Sequence, residues 1–496
     1  MRLTLLAGFA VSLAARTQAA PTGTNTSAPV VSLPYARYQG FHNETSGLDV
    51  FLGIRYAQAP VGERFTLESP KSPIPVKETL QATSQPAKCF QCLRTTVEYS
   101  QEEAPVLVWI HGGGYFAGYA ASYDPTTMIQ ARIIPIVDKF LSRHLTSVAG
   151  RLPPRIRDQE KWNAECWPFG YGIRAEMDSE KYPFVWWNPD DVTIWGESAG
   201  AGGVMMQVVA NGGKTAPPLF KRAIASSTYV PPNYRYDDPQ AELQYASLVS
   251  NTGCANATNT LACLRSLDYA TLAAGATQLP RPVVDGSFLT QRPQLSLAKK
   301  QVNGHNVDEG RIFVSQDANS TVQSWMQQQF PDLTQQNRTV IENAYQVFAS
   351  SGASRQTTTV TRYAIFMKAT SLGFDRSRPQ GLFAVPPSLH SLDLNVYFPG
   401  SSSIQPAQPF SQSFFDSFVG ALLSFILTGT PNSNPINKSI NPNWPLYDSK
   451  NPKGMKFNVT ASGDANAQFE AIDSALRQRC SIWRSLALTH PNKGFI

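Results

Sequence analysis

Ser198 stands at the centre of the pentapeptide Gly196, Glu197, Ser198, Ala199, Gly200, a G-x-S-x-G spacing suited to nucleophilic attack on a carbonyl carbon. The β-prone run DDVTIW precedes it and the helix-compatible run AGAGGVMMQVVA follows, so the expected local structure is strand, sharp turn, helix. The flanking glycines bring no side chain into a turn tight enough to push the serine oxygen into the open. Upstream, APVLVWIHGGGY from Ala104 to Tyr115 is an apolar strand running straight into three consecutive glycines. Such a loop leaves backbone N–H groups uncovered, and each donor aimed at a tetrahedral oxyanion is worth about 3 to 4 kcal/mol. Gly113, Gly114 and Ala199 are the expected donors. No GK[ST] follows the glycines and they do not form GxGxxG, which argues against a phosphate loop.

A serine hydroxyl attacks at neutral pH only beside a base, and in strand–elbow–helix enzymes the acid and then the histidine follow the serine along the chain. Beyond Ser198 lie His305, His390 and His490. His305 precedes almost every plausible acid, and His490 sits in the polar tail THPNKGFI. His390, in PPSLHSLDLNVYF, occupies a loop entering an apolar run and is the expected general base; a lone histidine is more often structural, and the need for a base selects this one. The acid must orient the imidazole and stay ionised. Glu309 in GHNVDEGRIFV is the choice, the adjacent Asp308 satisfies the same spacing, and Asp285 in PVVDGSFL is a weaker candidate.

These residues need a scaffold, and 496 residues with 42% hydrophobic content suffice for a large core. The motifs are spread over the length of one domain, residues 20–496. The formal charge of +6 arises from 42 basic and 36 acidic residues dispersed without the clusters of a nucleic-acid footprint, so no nucleic-acid partner is expected. Residues 1–19 have the layout of a secretory signal peptide: Arg2, the apolar run LTLLAGFAVSLAA, then RTQAAP with cleavage after Ala19. Arg16 cuts that run short of the roughly 20 apolar residues of a membrane anchor, and no stable membrane insertion is expected. N-x-[ST] sequons at Asn25, Asn43, Asn256, Asn319, Asn337, Asn437 and Asn458 also fit a secreted, extracellular glycoprotein. Cys254 and Cys263 close the short polar loop GCANATNTLAC, which suits a surface disulfide. Cys89 and Cys92 form a CxxC with no second pair or His pair nearby, so no metal site is expected, and the chemistry requires no cofactor.

The chain resembles the type-B carboxylesterase/lipase family, cholinesterases and fungal secreted lipases included, over nearly its whole length. The likeness is carried by FLGIRYAQAPVGERF, VLVWIHGGGY, VTIWGESAGAGG, LFKRAIASS, PVVDGSFL, NVDEGRIF, HSLDL and TGTPN…WPLYD. The resemblance implies an α/β-hydrolase with a mostly parallel central sheet flanked by helices. It implies a secreted serine carboxylic ester hydrolase acting through a Ser198, His390, Glu309 triad and an acyl-enzyme, on a small-molecule or lipid ester. It favours Glu309 over Asp308, makes Glu197 the residue expected before the serine, and supports the Cys254–Cys263 pair. One alternative is a non-catalytic binding protein, against which intact Ser198, Glu309 and His390 argue; the other is an inactive product of a defective gene, which the departures from the family pattern favour. Neither the particular ester nor the oligomeric state follows from the sequence.

The chain departs from the family pattern in four places. Two separated cysteine motifs collapse into CFQCL, the strand before the acid loop shrinks to KKQVNGHNVDEG, and the stretch from Glu309 to His390 is short. Residues from about 130 to 187 contain neither the expected strand nor the expected helix. Reading the codons of WNAECWPFGYGIRAEMDSEKYPFVWW one base later forces glycine at Trp167/Pro168, tryptophan at Met177/Asp178, and glycine at Trp186/Trp187 and Trp187/Asn188. These match the family's pattern, and the segment becomes compatible with NVGLLDMAFELKWIQKNIRSFGG. The expectation is a frame error in this segment, with irregular structure there.

Overall fold

The apolar run ahead of the glycines becomes a strand buried on both faces, with every residue from Val106 to Ile110 at most 1% exposed, as a central parallel strand must be. In this computed structural model the described residues are 28–54, 74–84, 94–97, 104–115, 117–130, 139–142, 187–276, 282–293, 304–306, 322–345, 381–432, 442–444, 448, 450–472 and 474–489. Their strands are β1 (Val30–Leu33), β2 (Ala36–Gln39), β3 (Phe41–Asn43), β4 (Leu48–Leu52), β5 (Thr79–Gln81), β6 (Arg94–Val97), β7 (Ala104–Ile110), β8 (Lys139–Ser142), β9 (Trp187–Glu197), β10 (Arg222–Ser226), β11 (Gly304–Asn306), β12 (Gly381–Phe383), β13 (Lys453–Val459) and β14 (Ala465–Ala471). β1, β2 and β5 form a small sheet; the other eleven form one large sheet in the order β14-β13-β12-β11-β10-β9-β7-β8-β6-β4-β3. From β8 to β13 along that order all neighbours are parallel. The remaining strands at both edges pair antiparallel.

Side-chain alternation along β7 and β9 divides the core into two layers. Val106, Val108, Ile110, Val192 and Ile194 face Ala201, Val204 and Met205 of the helix Ala199–Gly213. Leu107, Trp109 and Trp195 face the opposite way, towards the helix Gln412–Thr428, which contributes Phe414, Phe418 and Ile426. The ends of that apolar helix are set by its sequence. Ser411 accepts a hydrogen bond from the Phe414 amide, and Gly429 at φ 80° closes the last turn. A disulfide joins Cys254 to Cys263 beside the helix Thr260–Ser266.

One expectation is corrected here. Lys139–Ser142 lies in the segment from about 130 to 187 that was expected to offer no strand, yet it forms β8, antiparallel to β6 and parallel to β7. The reason is physical: β7 otherwise presents an open hydrogen-bonding edge, and the short run KFLS, with two apolar residues, covers it. Residues 143–186 lie outside the described residues, as do residues 1–19, Cys89 and Cys92. β11 is three residues long and meets β10 through one pair, Ser226 with Gly304.

Candidate active site

β9 ends at Glu197 and the helix begins at Ala199, so Ser198 alone makes the turn, at φ 56° and ψ −123°. That left-handed conformation is strained for a serine and is held by its surroundings. The Ser198 amide donates to Ser226 O at 3.1 Å, and the Ser198 carbonyl accepts from Gly202 and Tyr229, each at 3.0 Å. The two motif glycines are required by close approach. A Cβ at Gly196 would lie 2.5 Å from the Gly200 carbonyl, and one at Gly200 would collide with Ile110 O.

The glycine loop leaves β7 at His111 and passes directly over the elbow. A Cβ at Gly112 would lie 2.6 Å from Glu197 Oε2 and 2.9 Å from Ser198 Cβ. Gly113, at φ 123°, folds back so that its carbonyl accepts from the Ala117 amide at 2.9 Å. Among the described residues, no acceptor engages the N–H groups of Gly113, Gly114 or Ala199. Ala199 is also the first residue of its helix, where the backbone dipole favours negative charge. Tyr115 ends the loop and its hydroxyl donates to Tyr229 O at 2.7 Å. It passes across Gly202, where a Cβ would collide with the tyrosine oxygen.

His390 arrives from the other side, in the loop between β12 and the short helix Leu394–Tyr397. That loop is fixed by Ser388, whose amide and hydroxyl both donate to Val385 O, at 2.8 and 2.9 Å. His390 is buried and its Nε2 lies 3.2 Å from Glu197 Oε1. Ser391 Oγ donates to the same carboxylate oxygen at 2.7 Å. No hydrogen bond joins Ser198 Oγ to His390 among the described residues; such bonds are commonly long before substrate binds. Behind the histidine, Tyr397 donates to Asp393 Oδ2 at 2.7 Å. Burial first, then the charges of Asp393 and Glu197, hold the Tyr397 phenol well above its ordinary pKa. Burial and then the Glu197 charge do the same to Tyr123. Burial lowers the His111 imidazole to about 4, so it is neutral at pH 7.

The structure thus brings Ser198, Ala199, Gly113, Gly114 and His390 together at the carboxyl ends of β7, β9 and β12. Glu309 and Asp308 lie outside the described residues, as does His490. His305 falls within β11, and Asp285 is occupied locally, accepting from the amides of Ser287 and Phe288 at 2.6 and 2.7 Å. Ser391 and Tyr115 were not anticipated. A tyrosine directly after HGGG, with a glycine four residues past the serine, is a signal that could have revealed the second; nothing in the sequence marks the first. Among the described residues no cluster of His, Cys, Asp and Glu could hold a metal ion, and no helix is long and apolar enough to cross a membrane.

The family model for the carboxylesterase family matches residues 27–103 and 188–378. The chain belongs to the carboxylesterase family. This carboxylesterase is accordingly a carboxylic ester hydrolase. It is 26% identical over 400 residues to secreted lipase 1 of Botryotinia fuckeliana, covering 66% of this chain and 68% of that protein. It is 24% identical over 516 residues to a secreted lipase of Arthroderma benhamiae, covering 95% of each. The crystal structure of Aspergillus niger EstA matches 93% of the chain and 98% of its own with a TM-score of 0.77 at 23% identity, which shows the α/β-hydrolase fold.

Proposed function

We propose that this carboxylesterase is a secreted enzyme that cleaves esters through an acyl-enzyme on Ser198. His390 takes the serine proton as Oγ attacks the carbonyl, Glu309 orients the imidazole, and the N–H groups of Gly113, Gly114 and Ala199 receive the developing oxyanion. A water deprotonated by His390 then releases the acid. The observation that carries this reading is the convergence of a strained serine at a helix N-terminus, a buried imidazole and three N–H groups that no acceptor engages among the described residues. Secretion is supported by the 1–19 leader and by the sequons, of which Asn43, Asn256, Asn337 and Asn458 are described and none is buried. The substrate is a carboxylic ester of small-molecule or lipid type, in line with relatives named as secreted lipases.

The test is a fluorophosphonate probe applied to protein made from the native transcript. Labelling of a single serine, lost in Ser198→Ala together with ester turnover, is expected. Labelling that persists in Ser198→Ala, or no labelling of the parent, overturns the reading.

A further inference from the structure

Glu197 is buried at 2% exposure, and its carboxylate faces a histidine of similar burial. A carboxylate 3.2 Å from Nε2 is attractive when that nitrogen carries a proton and repulsive when it presents a lone pair. In the reaction proposed above, Nε2 is protonated only after it has taken the serine proton. The contact therefore stabilises the state formed during attack more than the resting base, which is the differential that accelerates a reaction. A carboxylate used in this way must be ionised and unable to swing away.

Two features of the fold hold it. Oε2 lies in the gap left by the missing side chain of Gly112, and Oε1 receives the Ser391 hydroxyl at 2.7 Å. Ser391 makes this bond from a left-handed backbone at φ 67°, a conformation that costs a serine about 1 kcal/mol or more and a glycine almost nothing. A serine retained in a glycine conformation, with its hydroxyl on a buried carboxylate beside the base, is not explained by chain geometry.

We propose that Ser391 is a positioning residue for ester hydrolysis, its hydroxyl holding the Glu197 carboxylate ionised and aimed at His390. The proposal rests on the reading of Ser198 and His390 above. Among the described residues, the other titratable groups around Glu197 are Tyr123 and Tyr397, both kept neutral by burial, and Asp393, which is bonded to Tyr397. None of them supplies the hydrogen bond that Ser391 does. Losing that donor raises the Glu197 pKa and frees the carboxylate to turn away, and protonation or displacement of Glu197 lowers the His390 pKa by taking counter-charge from the imidazolium. Neutral imidazole is the working base, so kcat/KM falls as pH drops through the His390 pKa. A lower His390 pKa moves that acid limb to lower pH while the plateau declines.

The test is Ser391→Gly, which removes the hydroxyl and relieves the backbone. The expected results are a plateau kcat/KM on a 4-nitrophenyl ester about tenfold lower, a His390 pKa lower by about one unit in a histidine NMR titration, and an unchanged or higher Tm. In a Glu197→Gln background the same substitution should have no further effect, since there is no charge left to hold. An unmoved His390 pKa overturns the proposal, as does an equal loss of turnover in the Glu197→Gln background. The NMR titration reads the imidazole whether or not esters are cleaved, and Ser198 labelling tests the catalytic reading separately, so the two failures are distinguishable.

Discussion

Gly112→Ala adds one methyl group at the most crowded point of the site. Its Cβ would lie 2.6 Å from Glu197 Oε2, 2.9 Å from Ser198 Cβ and 3.2 Å from Glu197 O. Ordinary contacts between such atoms begin at about 3.4 to 3.6 Å, so relief requires the glycine loop and the elbow to separate by roughly 0.7 Å. The elbow is pinned on its far side by the Ser198 amide on Ser226 O and by Tyr229 on Ser198 O. Movement is therefore left to the glycine loop, which carries Gly113 and Gly114, and to the Glu197 carboxylate. Overpacking of this kind costs about 1 to 3 kcal/mol, a few degrees of Tm in a protein of this size. Catalysis should suffer more, because misplacement of reacting groups by about 1 Å costs on the order of a hundredfold. The assay is kcat/KM on a 4-nitrophenyl ester alongside thermal unfolding. A loss of roughly a hundredfold with a small Tm change is expected; turnover within twofold of the parent would show that the loop does not set the site geometry.

His390→Ala should lower ester turnover by three or more orders of magnitude while His490→Ala leaves it nearly unchanged, and the reverse result would move the base to the tail. His111 has a folded pKa of about 4 against an ordinary 6.5. The unfolded chain thus binds the extra proton first, and stability falls as pH drops from about 6.5 towards 4, by up to roughly 3 kcal/mol; His111→Gln should flatten urea midpoints over that window, and an unchanged slope would contradict the assignment. Sequencing the transcript across residues 130–187 should recover a reading close to NVGLLDMAFELKWIQKNI. A transcript confirming WNAECWPFGYGIRAEMDSEKYPFVWW, in a protein that still cleaves esters, would make the segment a functional insertion.

The parts of the site that could be read from sequence are those whose geometry is made locally. Gly196, Ser198 and Gly200 specify their turn because any side chain at the glycines meets backbone within the same strand–helix unit or the adjacent β7. The three glycines after Ile110 likewise announce exposed amides without reference to the rest of the chain. His390 was selected by eliminating His305 on chain order and His490 for its polar tail, arguments that carry no information about distance. Ser391 was invisible because its partner, Glu197, is 194 residues away and their contact depends on a backbone angle that a serine rarely adopts. The apolar run of β7 and the β-prone run at the end of β9 marked strands, whereas the parallel sheet itself was implied only by the family resemblance. The short strand β8 was not, because KFLS has no distinctive pattern and is drawn into the sheet by the edge it covers.

This contrast bears on how the interrupted segment relates to the site. The family match stops at 103 and resumes at 188, so the unmatched stretch holds β7 and the glycine loop and ends shortly before the nucleophile. Yet the bonds that fix Ser198 run to Ser226, Gly202 and Tyr229, and the glycine loop is tied across by Tyr115 to Tyr229. β7 and β9 pair directly, Ile110 with Gly196, which sets the loop over the elbow. The nucleophile is therefore held by elements on the far side of β9, where the family match is continuous, and the glycine loop by β7 and by the Tyr115 bond to Tyr229. A lost or mistranslated segment before β9 is expected to remove stability and solubility by leaving apolar sheet surface uncovered. The arrangement of Ser198 against the glycine loop would be retained in whatever fraction of the chain folds.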